Sequence, residues 1–200
     1  MKGLKELVSG PVFRVLGYRP QAVSVSAWDR EYRDGDWNYL GGVGAIAGQA
    51  TILGYCQHLK PASILDVGCG AGQLAEKLKI LPYRAFLGID ISAEAIAQAA
   101  SVADTRTIFA TGPADGFHCD TRFDLIIFNQ CVNYFADPAA MMAHYIQLLS
   151  PNGRIIVSLC DNPRNRAAWP LIEKHLAVED AITYIQAEGR GTTKLLRPRL

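Results

Sequence analysis

Two carboxylates and a glycine turn give this chain its first recognisable chemistry. In Ile64-Leu65-Asp66-Val67-Gly68-Cys69-Gly70-Ala71-Gly72 an apolar run carries an aspartate and then breaks at glycines. Glycines so placed let a strand turn sharply into a helix and let the backbone approach a ligand more closely than a Cβ would permit. Asp66, Val67, Gly68, Cys69 and Gly70 are therefore the candidate cradle. A turn of this kind fits many nucleotides, and in a dinucleotide site it holds a pyrophosphate at the following helix N-terminus. Asp66 argues for a different ligand, because a carboxylate beside the turn repels two phosphate charges in a low-dielectric cleft and attracts an ammonium group. Asp90 ends the next apolar run about 20 residues on, the distance at which an acidic residue accepts hydrogen bonds from both ribose hydroxyls. Ser92 is better placed than Asp90 to cap the helix that follows.

Further along, Thr111-Gly112-Pro113-Ala114-Asp115 can present a backbone N–H and the Asp115 carboxylate to an adenine edge; its composition also suits an ordinary turn. Phe128-Asn129-Gln130-Cys131-Val132-Asn133-Tyr134-Phe135 runs out of an apolar strand, and polar groups at such an end face the ligand crevice of an open α/β sheet. Asn129, Gln130 and Tyr134 are site candidates on that ground. His118-Cys119-Asp120 lacks the spacing to converge on one ion, so no metal site is expected. A ligand with an adenosine, no phosphate and a free amino-acid end suits both Asp66 and Asp90, and S-adenosylmethionine has that composition.

The elements that would hold these residues are readable from periodicity. A helix is expected over 43–59, stopping before Pro61, with Gly44, Gly48 and Gly54 weakening it. Then come strand 63–68, helix 72–80, strand 84–90, helix 93–103, strands 106–110 and 123–129, helix 138–149 and strand 154–160. Phe86-Leu87-Gly88-Ile89 and Leu125-Ile126-Ile127-Phe128 are apolar on both alternating faces, as in a parallel sheet covered by helices. This alternation describes a doubly wound α/β domain. At the C-terminus, 181–187 and 192–197 flank Gly189-Arg190-Gly191 with no room for a crossover helix, which signals an antiparallel hairpin. Residues 160–180 read as a variable loop at the acceptor side, in which Arg164, Arg166 and Trp169 line a pocket or coat a helix.

At 200 residues, with 20 Lys+Arg against 19 Asp+Glu, the chain fits one domain with no global field for nucleic acid or an anionic membrane. A small-molecule partner is expected. Five dispersed cysteines without a C-x-x-C pair read as reduced thiols, hence a cytoplasmic protein. The first 20 residues have no apolar stretch of signal or membrane-span length. Leu4, Leu7 and Val8 with Lys2 and Lys5 permit a short amphipathic helix, able to dock on the domain or touch a membrane surface or partner.

Taken in order, four motifs resemble those of class I S-adenosylmethionine-dependent methyltransferases of the small-molecule kind, including members associated with glycan or natural-product assembly. Ile64–Gly72 is similar to the family's glycine motif, 88–91 to its ribose motif, 123–138 to its fourth-strand motif, and 148–159 with Pro151-Asn152-Gly153 to its fifth. The resemblance implies a seven-stranded, mostly parallel Rossmann-like sheet whose last strand is antiparallel. It also implies binding roles for Asp66, Gly68, Gly70, Asp90, Ile91, Ala114 and Asn129. Trp28-Asp29-Arg30-Glu31-Tyr32-Arg33-Asp34-Gly35-Asp36-Trp37 is similar to a lid seen in such enzymes, which makes residues 1–41 a lid and 42–200 the cofactor-binding domain. Trp28, Tyr32 and Trp37 would then face a sulfonium through cation–π attraction, or simply pack, with Tyr39, on the core. The sequence departs from the family pattern at Pro113, near which many members carry an acidic residue, and at Gln130, where many have glutamate.

The activity so implied is methyl transfer to a small polar acceptor, a sugar hydroxyl or an amine, by in-line displacement with proximity and water exclusion. An amine needs only to arrive deprotonated, whereas a hydroxyl benefits from a base. Among His58, His118, His144 and His175, His144 is the candidate for that task, with Gln130 and Tyr134 as the other catalytic candidates. The competing readings are a nicotinamide-dependent oxidoreductase, disfavoured by Asp66 and by the lack of a Tyr-x-x-x-Lys pair, and a methyltransferase-like binding protein without turnover.

Overall fold

The structure, a computed structural model, describes residues 17–186 and 189–199. The amphipathic pattern of Leu4, Leu7 and Val8 lies outside the described residues. Helix α1 (Val25–Asp34) is capped by Ser24, whose side chain accepts from Ala27 N, and stops at Gly35 in the left-handed region. Two short 3-10 turns lead into α2 (Ile46–Leu59), which ends at Lys60 with φ 51° just before Pro61. The alternating part follows as β1 (Ser63–Val67), α3 (Gln73–Leu78), β2 (Ala85–Asp90), α4 (Ala93–Ala99), β3 (Thr107–Thr111), β4 (Phe123–Asn129) and α5 (Pro138–Ile146). It closes with β5 (Leu149–Cys160), α6 (Pro163–Ile172), β6 (Leu176–Gln186) and β7 (Gly189–Pro198).

The seven strands form one sheet in the order β3-β2-β1-β4-β5-β7-β6. The first five neighbours are parallel, and β7 lies antiparallel between β5 and β6. This is the doubly wound, mostly parallel sheet with a C-terminal antiparallel hairpin that the sequence implied. β1 and β4 are central strands, and Ile64, Leu65, Leu125, Ile126 and Ile127 are completely buried, which is why they are apolar on both faces. One core layer joins β4 and β5 to α5 and α6 through Met142, Tyr145, Val157 and Ile172. The other joins β1 and β2 to α2 and α3 through Ile52, Leu74, Leu78 and Phe86.

Several expected boundaries move. Helix 138–149 ends at Ile146 and strand 154–160 starts at Leu149, so Pro151-Asn152-Gly153 lies within β5. The register against β4 jumps there, from Phe123↔Leu149 to Leu125↔Arg154. A Cβ on Gly153 would stand 2.9 Å from the Phe123 carbonyl oxygen, so the irregular stretch depends on that glycine. The helix expected to reach 103 ends at Ala99. The variable segment 160–180 contains a full helix, α6, with Asn162 as N-cap accepting from Asn165 N and Pro163 in the first turn. Its start signal was present in Asn162-Pro163.

Candidate active site

A cleft of about 670 Å³ runs across the C-terminal ends of β1, β2, β4 and β5, under α1 and beside α2. The glycine turn forms its floor. Gly68 (φ 70°) and Gly70 (φ 56°) both occupy the left-handed region that favours glycine. A Cβ on Gly68 would sit 2.8 Å from Cys131 Cβ, and one on Gly70 would sit 2.7 Å from the Tyr32 hydroxyl. The donors of this turn are already spent inside the protein. Gly68 N and Cys69 N both donate to the Ile89 carbonyl, at 2.8 and 3.0 Å, and Gly70 N donates to Asp90 Oδ2 at 2.9 Å. A pyrophosphate would therefore find no free N–H at these three residues.

What the floor offers instead is acceptors. Asp66 is 1% exposed and its Oδ1 has no hydrogen-bond partner among the described residues. Burial, with the nearby Asp90 charge adding to it, pushes the Asp66 carboxyl up to about 8. Asp90 is held by Gly70 N on one oxygen and by Ser92 N, at 2.9 Å, on the other. Burial also raises its pKa, against the lowering effect of those N–H bonds. Each Asp90 oxygen keeps a lone pair for a further donor. An orphaned buried carboxylate oxygen and a turn whose Gly68, Cys69 and Gly70 N–H groups are taken fit a ligand carrying an ammonium and hydroxyls better than one carrying phosphates.

The roof is aromatic. Trp28 lies edge-on to Tyr134 (ring centroids 4.8 Å apart) and 5.5 Å from Trp37, whose ring is 6.1 Å from both Tyr32 and Tyr39. Trp37 Nε1 donates to Glu31 Oε2 at 3.2 Å. The roof is clasped to the sheet side by Asp29, which accepts from the Ser92 hydroxyl at 2.7 Å, and by Gln98 Nε2, which donates to the Tyr32 carbonyl at 2.9 Å. The Ser92 hydroxyl bond is the main cause holding Asp29 below the usual carboxylate range. On the other flank, the Tyr18 hydroxyl donates to the Val132 and Phe135 carbonyls, and Gln21 N donates to the Asn133 carbonyl.

Of the residues singled out from the sequence, Trp28, Tyr32, Trp37, Asp66, Gly68, Cys69 and Gly70 line this cleft. So do Asp90, Ile91, Ala114, Asp115, Asn129, Gln130 and Tyr134. Two do not. Val67 is fully buried and packs with Leu65 and Ile126, because strand alternation sends its side chain into the core. His144 sits on α5 outside the lining, its Nε2 2.7 Å from the Phe117 carbonyl and its ring edge-on to Tyr145. The helix carries that imidazole to the flank of the sheet, so the structure does not bring it to the cleft.

Gln130 lines the cleft but is committed elsewhere. Its φ of 60° is unusual for a residue with a side chain. Its Oε1 accepts from Cys160 N at 2.8 Å, its Nε2 donates to Ser158 Oγ at 3.4 Å, and its N donates to the Ser158 carbonyl. It ties β4 to β5. Sequence reasoning missed Gln49 on α2 and Tyr184 on β6, both in the lining. Tyr184 reaches the cleft because α2 has glycine at 48, where a Cβ would lie 2.6 Å from the Tyr184 hydroxyl. Gly48, one of the three glycines that weaken the expected helix, was the available signal of that close approach.

Comparison with known proteins agrees with this geometry. A family model described as a methyltransferase domain matches residues 58–191. The ubiquinone biosynthesis O-methyltransferase of Bradyrhizobium diazoefficiens is 32% identical over 103 residues, 48% of this chain and 38% of that protein. Trans-aconitate 2-methyltransferase of Klebsiella pneumoniae is 29% identical over 114 residues, covering 56% and 45%. The matches thus span less than half the length of these two curated relatives. Among solved structures, the N-methyltransferase NodS of Bradyrhizobium japonicum, in complex with S-adenosyl-L-homocysteine, superposes with a TM-score of 0.72 at 17% identity, covering 88% of this chain and 98% of that one. The plantazolicin methyltransferase BpumL, with a desmethyl analogue and the same thioether, gives 0.63 at 18% identity over 88% and 95%. These two likenesses concern the fold. With the family model covering well over half its residues, the chain belongs to the methyltransferase-domain family, the class I S-adenosylmethionine-dependent methyltransferases.

Proposed function

We propose that the protein transfers a methyl group from S-adenosylmethionine to a small polar acceptor, a sugar hydroxyl or an amine. The observation that carries this reading is the glycine turn, whose N–H groups are consumed by Ile89 and Asp90 while Asp66 Oδ1 is left buried and unpaired. In this reading Asp66 takes the ammonium end, Asp90 the ribose hydroxyls, and Ala114 with Asp115 the adenine edge. The cofactor supplies a methyl group on a sulfonium, already a good leaving group. The chain's own work is to align and to exclude water: Trp28, Tyr32 and Trp37 cover the sulfonium, Asn129 lies on the cofactor side, and Tyr134 borders the acceptor. Within the segment 1–41, the described residues 17–41 act as the lid over the cofactor-binding domain 42–200. The curated and structural relatives named above act on varied acceptors, and none of those acceptors transfers to this chain by likeness alone.

No described helix is long and apolar enough to cross a membrane, and the dispersed thiols support work in the cytoplasm. Calorimetry tests the function directly. S-adenosylhomocysteine should bind and NADH should not. Asp90→Ala should weaken the thioether about 100-fold, since it removes two charge-assisted bonds that order the turn as well as the ribose acceptor. Unchanged affinity in that variant would refute the assignment of Asp90.

A further inference from the structure

Building on that reading of the cleft, we propose that its acceptor half receives an amine on an uncharged or cationic small molecule, that the reaction is N-methylation, and that Gln49 holds the amine by its side-chain oxygen. Three observations converge on this. First, the cleft is electrically polarised along the sheet. Asp66, Asp90 and Asp115 all lie at the ends of β1, β2 and β3, whereas the half over β4, β5 and β6 is lined by Asn129, Gln130, Asn162, Tyr184 and Gln186, with Gln49 from α2. Among the described residues no Lys, Arg or His side chain lines any part of it. Arg164 is outside the lining, and its Nη1 donates to Oε1 of Gln21 at 2.8 Å. A carboxylate or phosphate acceptor would be desolvated there without a counter-charge and facing three carboxylates.

Second, the acceptor half holds an unmet demand for a donor. Gln49 is 3% exposed, and its Nε2 donates to the Leu40 carbonyl at 2.9 Å, which fixes which end of the amide is oxygen. Its Oε1 has no partner among the described residues. Gln186 Oε1, on β6, likewise has no partner among the described residues. Buried acceptors without donors are rare and costly, and an N–H from a ligand would satisfy them. The faces of Trp28, Trp37 and Tyr134 favour a nitrogen that bears or acquires positive charge.

Third, among the described residues lining this half there is no histidine, aspartate or glutamate to take a proton during the transfer. A hydroxyl acceptor has to lose its proton as the new bond forms, and it needs a base within reach. The Gln130 amide is bound to Cys160 and Ser158, and His144 is outside the lining. Burial raises the pKa of Tyr134, which keeps it a phenol. A neutral amine needs no such group. Its lone pair forms the N–C bond while the methyl–sulfur bond breaks. The bonding pair leaves with sulfur as a neutral thioether, and the positive charge passes to nitrogen, which then gives a proton to water.

The test uses the full chain saturated with S-adenosylhomocysteine and titrated by calorimetry with small amines on aryl, alkyl and sugar scaffolds, each beside the alcohol and carboxylate of the same scaffold. Amines should bind the loaded protein about 10-fold or more tighter than their alcohols, and carboxylates should not saturate. Gln49→Leu should lower amine affinity by about 10-fold while leaving thioether affinity within about twofold. The same set supplied with S-adenosylmethionine should release thioether with amines alone. Carboxylates or alcohols binding in preference, or a thioether-loaded protein that takes no amine, would overturn the proposal. An unaltered amine affinity in Gln49→Leu would remove Gln49 from it. If the thioether itself fails to bind the wild-type chain, it is the methyltransferase reading that falls. Should the variant not fold, the wild-type series decides alone.

Discussion

Asp66 shows what one residue is asked to do. Its carboxyl is pushed up to about 8 in the folded protein, against an unfolded value near 4. Between those values the unfolded chain holds its charge more readily, so the stability of the ligand-free protein falls as pH rises through that window and is unaffected below it. Asp66→Asn should therefore raise the melting temperature at pH 8 and leave it unchanged near pH 4, a difference that calorimetric scans would read. S-adenosylmethionine binding at pH 6 should release about one proton from the wild type and none from the variant, because the cation favours the ionised carboxylate. Asp66 and Asp90 were legible in the sequence because both lie at fixed distances from a glycine turn. Gln49, Ser158 and Tyr184 were not, because they meet only after α2, β5 and β6 are assembled. Val67 was misread as ligand-facing because it neighbours residues that do line the cleft while pointing the other way.

At the scale of elements, the roof helix α1 depends on Ser92. That residue caps α4 by accepting from Ala95 N, donates its hydroxyl to Asp29 on α1, and gives its backbone N–H to Asp90. Replacing Ser92 by alanine removes the cap, at a cost of about 1 kcal/mol, and also frees the roof. Hydrogen exchange across Val25–Asp34 should then quicken. Arg33→Ala should leave it unchanged, since the Arg33–Glu94 pair at 2.6 Å is exposed and such pairs contribute little. Equal effects of the two changes would mean that charge, rather than the serine, holds α1. The strands were easier to read than the helix ends. Apolar runs such as Leu125–Phe128 are buried on both faces, while the ends of α4 and α5 are set by packing and fall short of where local pattern would carry them.

For the whole molecule, β7 and β6 complete a sheet that would otherwise expose β5. Leu176, Leu195 and Leu196 are buried, and β7 pairs with β5 from Ile155↔Leu196 to Cys160↔Gly191. A chain ending before Leu176 should lose cooperative melting and its near-ultraviolet circular dichroism; retention of both would show that the hairpin is dispensable. The overall topology was legible because a Gly-Arg-Gly turn between two apolar stretches leaves no length for a helix, even though α6 before it was taken for a loop. The division of the cleft has an evolutionary consequence. One end of the cleft, the nucleoside end on the proposed reading, is lined by residues 66–115, and the opposite end chiefly by 129–186 with α2. Under the proposed function, a lineage could revise the later stretch and acquire a new clientele while inheriting its methyl supply intact.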